Sequence, residues 1–345
     1  MVNLVQMRAS NAKIATALPP GLVAVFAGAT SGVGETSLKQ FAKHAVKPRI
    51  YFLGRSKESG NRIRAELQHL NPEGEYNFIS VDVSSLRAVD DVCRDIKAKE
   101  TSITLLFLST GTLVRGKETE EGLHLPFAVA YYARLRLTVN LLPQLRAATG
   151  LRRVVTVFAG TKEGAITMSD LQARREVNLL SVSGRGHAAS MQTLALEAVA
   201  RSAPDVAFVH CYPGFVKSGL GKDMKGPVAR VLMAVWEVAY LVVGPFLATP
   251  FEEAGERHLF FATSARFPGG RGSGAAGVPL PDGVEVARGT DGKSGSGVYS
   301  ITNHAERAPP AVERLLEQMR KDGTAEKVWA DVEGEFVRIT GTASV

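Results

Sequence analysis

The sequence predicts an α/β fold: a doubly wound parallel sheet of about seven strands, with helices on both faces and a helical C-terminal tail. Three observations carry this. The apolar run Leu22 to Ala27 leads straight into Gly28, Gly32 and Gly34, and a helical pattern through Glu35, Thr36, Leu38, Lys39, Phe41 and Ala42 follows. Short apolar runs then alternate with amphipathic stretches, as parallel strands joined by crossover helices require. The candidate site residues all fall at the carboxyl ends of those runs, where such sheets bind ligands.

The first run is a buried strand. Glycine is needed where the backbone turns sharply or where a phosphate must approach it. The first turn of the next helix leaves N–H groups unpaired, and its positive dipole end attracts anions. Arg49 to Arg55 is the second strand, followed by a helix with Ile63, Leu67 and Leu70 that stops at Asn71-Pro72. Tyr76 to Val81 is the third, ending in Asp82-Val83. A helix over 85–99 places Leu86, Val89, Val92, Cys93 and Ile96 on one face. Ile103 to Leu108 is the fourth strand, closed by Ser109-Thr110-Gly111, and a long helix runs from about Pro126 to Leu145. Arg152 to Phe158 and Val206 to Cys211 are strands five and six, with a helix over 183–201 between them.

Residues 226–249 are the most apolar stretch, but Arg230 and Glu237 interrupt it and Gly244-Pro245 breaks it. About 20 continuous apolar residues are needed to cross a bilayer. A lid over 219–250, covering an apolar substrate pocket, is expected here; peripheral membrane or oligomer contact is the alternative. A helix over 251–263 follows, then a Gly/Pro/Ser/Asp-rich loop to 297, a last strand from Val298 and two amphipathic helices. The division expected is an N-terminal arm (1–20), a nucleotide-binding domain (21–266), and a loop, strand and helices (267–345) packed on that domain.

The 345 residues are 45% hydrophobic and 22% charged, an ordinary globular composition. The formal charge of +7 suggests an anionic partner, and a phosphorylated cofactor explains part of it. No dense Lys/Arg run with interleaved aromatics appears, which argues against nucleic-acid binding. Cys93 and Cys211 lie inside apolar segments and fit a reducing compartment. Residues 1–20 lack the apolar core of a signal peptide, so a cytoplasmic location is expected. No residue pattern calls for a metal.

The loop Gly28-Ala29-Thr30-Ser31-Gly32-Val33-Gly34 resembles the cofactor loop of short-chain dehydrogenases/reductases. The likeness spans about residues 21–266 and is narrowest toward fungal members, many of them in secondary metabolism. It rests there on Glu120-Glu121-Gly122-Leu123, Gly186-His187-Ala188-Ala189 and Gly255-Glu256-Arg257-His258-Leu259-Phe260. The resemblance implies a Rossmann-type fold. It implies that the glycine loop, with Thr30, Ser31 and Val33, holds a pyrophosphate, and that Asp82 and the Val83 backbone meet the adenine. Ser109, Thr110 and Gly111 would pack on the adenosine ribose. In the segment Pro213-Gly214-Phe215-Val216-Lys217-Ser218, Val216 and Ser218 would contact the nicotinamide carboxamide, with Pro213 and Gly214 in the same loop. An acidic residue at position 55 would bond a ribose 2′-hydroxyl. Arg55 instead offers a forked, permanently charged donor to a 2′-phosphate, which favours NADP(H) over NAD(H). The resemblance also implies a homodimer through the helices flanking strands four and five.

The family's proton-transfer pair, a tyrosine and a lysine four residues later, is missing. No tyrosine occurs between Tyr132 and Tyr212, and no lysine between Lys162 and Lys217. Val157-Phe158-Ala159-Gly160 stands where the family serine is expected, and the family asparagine falls near Ala130. Ser183 and His187 occupy the tyrosine-to-lysine slot, four residues apart on one helix face. His187 is therefore the candidate acid, with Ser183 as relay, against the plainer reading of a helix cap and a ribose contact. Lys162 and Glu163 are further candidates. Three functions stay open: a divergent NADP(H)-dependent oxidoreductase acting on an apolar, polyketide- or terpenoid-like molecule, a non-redox isomerase or cyclase in the same pocket, and a catalytically silent binding protein.

Overall fold

The computed structural model describes residues 2–216, 248–271 and 276–345. Ser218 and most of the expected lid, 219–247, lie outside the described residues.

Seven parallel strands form one sheet in the order β3-β2-β1-β4-β5-β6-β7. They are β1 (Val23–Ala27), β2 (Arg49–Gly54), β3 (Glu75–Ser80), β4 (Leu105–Leu108), β5 (Arg153–Val157), β6 (Ala207–Cys211) and β7 (Val298–Ile301). Each lies within two residues of its expected ends. The chain winds outward from β1 to β3, then returns to place β4 on the other side of β1. That reversal opens a crevice beyond the carboxyl ends of β1 and β4, the usual ligand position in such sheets.

Alternate strand residues feed two cores. Val25, Leu106, Leu108, Val154 and Phe208 face one side, and Phe26, Phe107, Val155, Val209 and Tyr299 the other. The second side is covered by α1 (Leu4–Ala12), α3 (Gly32–His44) and α8 (Phe251–Thr263), while α2 (Ile14–Ala17) and α4 (Lys57–Leu70) flank them. The N-terminal arm is thus a packed element: Asn11 donates to the Glu256 carbonyl at 2.9 Å and to its carboxylate at 2.6 Å.

The first side carries α5 (Leu86–Lys97), α6 (Ala133–Ala147), α7 (Val182–Ser202) and the tail helices α9 (Pro310–Lys321) and α10 (Thr324–Thr340). Val328, Val332, Phe336 and Ile339 of α10 are buried against α5 and α7. A fully buried ion pair holds the end of the chain there. Arg136 donates to both Asp90 oxygens, at 2.6 and 2.7 Å, and to the Thr342 and Ala343 carbonyls. The expected long helix after β4 is interrupted: one π turn, Ala128–Tyr132, precedes α6.

Candidate cofactor and active site

The glycines of the first loop divide their work. At Gly28, with φ +84°, an added Cβ would lie 2.5 Å from the Thr110 nitrogen, so β1 and β4 could not close together. At Gly34 it would strike the Ser109 hydroxyl and the Gly28 carbonyl. These two are required by packing. Gly32, with φ +61°, turns the chain into α3. Ser31 is the N-cap residue, yet its side chain makes no capping bond. The mouth of α3 therefore offers backbone donors and a hydroxyl to an anion. The acidic residue of its first turn, Glu35, is neutralised. Burial opposes its charge, but hydrogen bonds from Arg62 and Lys39 outweigh this and hold its carboxyl below the usual range.

Arg55 follows β2 directly and is exposed beside this loop. Asp82 is exposed after β3, and its carboxylate accepts from the Ser84 N–H at 3.0 Å. Ser85 caps α5, so Asp82 is not needed for that job. Val83 is buried in the core beneath. Ser109 lies against the glycine loop, within reach of the Ala27 and Gly28 carbonyls. Thr110 donates to the Val129 carbonyl in the π turn at 2.8 Å. Gly111 completes the turn. Pro213, Gly214 (φ +78°) and Val216 follow β6 and line the same edge of the sheet. The glycine loop, the ends of β2 and β3, and the loops after β4 and β6 thus lie along one edge of the sheet, and the donors of the glycine loop suit a dinucleotide phosphate.

The proton-transfer slot differs from the expectation. The loop joining β5 to α7 lies directly on the first turns of α7. The Gly164 N–H donates to the Gly186 carbonyl at 3.0 Å, and a Cβ on Gly186 would sit 3.0 Å from the Gly164 Cα. Two residues earlier, a Cβ on Gly184 would strike the Asn178 carbonyl. Crossing backbone thus occupies the surface of this helix, and its glycines permit the contact.

His187 is turned into that contact. It is 1% exposed, its Nδ1 accepts from the Thr167 N–H at 3.0 Å, and its Nε2 faces the Leu171 carbonyl at 3.0 Å. The network thus assigns the neutral Nε2–H tautomer. Burial pushes its pKa down, against the Leu171 carbonyl and Asp170, which favour the charged form. This geometry speaks against the expectation of His187 as proton donor: both nitrogens are committed to backbone, and the ring clamps the loop. Ser183 is exposed and shares a hydrogen bond with the N-cap residue Ser181, not with His187.

The other candidates also have partners. Lys162 sits over the Tyr212 ring at 5.4 Å. Glu163 is buried between α7 and β7, accepting from Thr193 at 2.8 Å and Ser300 at 2.5 Å. Burial raises its pKa, against those two hydroxyl donors. His210 joins this network: its Nε2 accepts from the Ala159 N–H at 3.1 Å, and its Nδ1 lies 2.8 Å from the Thr193 hydroxyl. Burial drives its pKa down to about 3. Besides Glu163, the sequence sign of this network was a polar residue at each of two adjacent strand positions, His210 and Ser300, which register pairs side by side.

Sequence reasoning missed Arg134 altogether. It begins α6 and is 2% exposed. Its guanidinium donates to the Thr110 carbonyl and, at 2.9 Å, to the Val157 carbonyl, tying the end of β4 to the end of β5. It also stacks over Phe158, 5.7 Å from the ring centre. Among the described residues no carboxylate pairs with it. Burial draws its pKa down to about 9, so it keeps its charge at neutral pH.

A doubly wound sheet with a glycine loop at its switch point defines a nucleotide-binding α/β protein. The family model for short chain dehydrogenases matches residues 22–226, and the chain belongs to that family. It is similar to oxidoreductase AN1596 of Emericella nidulans, 36% identical over 96% of this chain and 97% of the relative. It is also similar to oxidoreductase andH of Emericella variicolor, 37% identical over 93% of each. Among solved structures, a 3-oxoacyl (acyl-carrier-protein) reductase from Agrobacterium tumefaciens, solved with NADP bound, shares the fold. Its TM-score is 0.52, with 18% identity over 70% of this chain and 88% of that one. On the family and these relatives, the protein is an enzyme of the oxidoreductase kind.

Proposed function

We propose that the protein is an NADP(H)-dependent oxidoreductase acting on an apolar, polyketide- or terpenoid-like small molecule. The observation that carries this reading is the crevice at the β1–β4 switch point: a left-handed Gly32, an uncapped α3 mouth and Arg55 at the end of β2. The nicotinamide would supply or take up a hydride. The glycine loop, Thr30, Ser31 and Arg55 would hold its phosphates, and Asp82, Val83 and Ser109 to Gly111 the adenosine half. Pro213, Gly214, Val216 and Ser218 would border the nicotinamide. An apolar substrate is supported by Leu113, Met168, Leu180 and Val182, exposed on the loops after β4 and β5 and at the start of α7. A homodimer would have to use a surface other than the part of α5 and α7 that α10 covers.

Calorimetry with NADPH and NADH, on the wild type and on Arg55→Asp, tests the reading. One charged contact of this kind is worth about 1.5–3 kcal/mol. The wild type should prefer NADPH by at least tenfold, and the variant should lose that preference. Equal affinities in the wild type would sink the NADP assignment.

One observation favours a second reading, a non-redox isomerase or cyclase. In the slot where a proton-transferring pair would stand, both His187 nitrogens are bonded to backbone and Ser183 is bonded to Ser181. Product formation without cofactor consumption would select that reading.

A further inference from the structure

Arg134 is the one fully buried cation at the carboxyl ends of the strands, among the described residues, whose hydrogen-bond partners are all neutral: the Thr110 and Val157 carbonyls and the Thr110 hydroxyl. The other buried arginines have structural work elsewhere. Arg136 is paired with Asp90, and Arg153 donates to the Phe261 and Ser264 carbonyls at the end of α8. Arg134 instead bridges the Thr110 and Val157 carbonyls, midway between the phosphate end of the crevice at Gly28 and the loop after β6.

Its surroundings leave that charge uncompensated. Phe158 covers one side of the guanidinium, and His210 stacks behind Phe158 with ring centres 6.2 Å apart. That histidine is neutral, being buried with its Nε2 held by a backbone N–H. Cys211, which follows His210, is a fully buried thiol whose ionisation burial opposes. Glu163 reaches Thr193 and Ser300, and no ion pair links it to Arg134. A charge in so poorly polarisable a place acts over several ångströms, because little solvent screens it.

We infer that Arg134 is the fixed positive charge of the cofactor site and sets its preference for reduced over oxidised nicotinamide. This rests on the cofactor reading above. The reduced nicotinamide ring is neutral and the oxidised ring carries a positive charge. A buried cation nearby disfavours the oxidised form by simple repulsion. The same field favours negative charge on a substrate oxygen, which this family ordinarily arranges with a lysine on the helix after β5. That lysine is missing here, so α6 would supply the charge in place of α7. Arg134 acts through its field and touches no reacting atom in this account, so it is a positioning residue.

The test is the ratio of dissociation constants for NADP+ and NADPH, by calorimetry, in the wild type, Arg134→Met and Arg134→Lys, with folding checked by circular dichroism. The wild type should bind NADPH at least tenfold more tightly than NADP+, which is about 30 mV for a two-electron couple. Arg134→Met should compress that ratio at least fivefold, and Arg134→Lys should keep most of it. A purely structural Arg134 would lower both affinities by the same factor and leave the ratio unchanged, and that result overturns the assignment. If Arg134→Met fails to fold, the wild-type ratio decides: above ten sustains the assignment, and near one overturns it. A wild type that binds neither form removes the cofactor reading itself and the assignment with it. Binding of both forms with an insensitive ratio removes Arg134 alone.

Discussion

Replacing His187 decides between two jobs for one side chain. In His187→Ala the Thr167 N–H and the Leu171 carbonyl both lose their partner, and the edge contact with Phe127 at 6.0 Å is lost with them. Each buried group left unpaired costs about 1–3 kcal/mol. Taking about 3–4 kcal/mol in all, with roughly 2 °C per kcal/mol for a chain this long, the melting temperature should fall by about 6–8 °C. The sign of the pH effect follows from burial. The folded pKa of His187 is depressed, so its neutral form stabilises the fold above the unfolded value of about 6.5. That contribution is lost as pH falls below that value, because the unfolded chain takes up the proton first. Thermal melts at pH 8 and pH 5.5 should therefore differ more in the wild type than in His187→Ala. Turnover measured below the melting range should keep its pH profile. A variant as stable as the wild type, but with at least tenfold lower turnover and no transition near pH 6.5, would restore His187 as the acid and refute the clamp.

Gly32→Val should fold but lose nucleotide binding. A β-branched residue at φ +61° costs about 1–3 kcal/mol and blocks the mouth of α3; unchanged NADPH affinity in a folded variant would mean the loop is only a turn. Asp90→Asn leaves the buried Arg136 charge without its counterion, and denaturant unfolding should show a loss of about 3–5 kcal/mol; a change below 1 kcal/mol would show that the carbonyls of 342 and 343 suffice. His210 and His258 are held neutral by burial, at about 3 and about 4. Stability should be complete above about pH 6.5 and fall steadily toward pH 4, and a flat unfolding curve over that range would contradict their burial.

The strands, their parallel order and the dinucleotide loop were legible in the sequence because each is a local signal. A five- or six-residue apolar run, a glycine where φ must be positive and a helical period need no knowledge of distant neighbours. The missing tyrosine and lysine were legible too, since the absence of any tyrosine from 133–211 and of any lysine from 163–216 survives any shift of alignment. Packing decided the rest. Ser183 and His187 share a helix face in the sequence, but only the path of residues 162–179 shows that His187 is covered by backbone while Ser183 stays exposed. Arg134 reads as one of several polar positions in its helix until two strand ends, more than twenty residues away on either side, bring carbonyls to it. The tail helices look like an amphipathic appendage, and only the folded α5 and α7 give them a face to cover, with Arg136 and Tyr132 at its side. Period and composition depend on neighbours along the chain, whereas the environment of a buried charge depends on groups that only folding brings together.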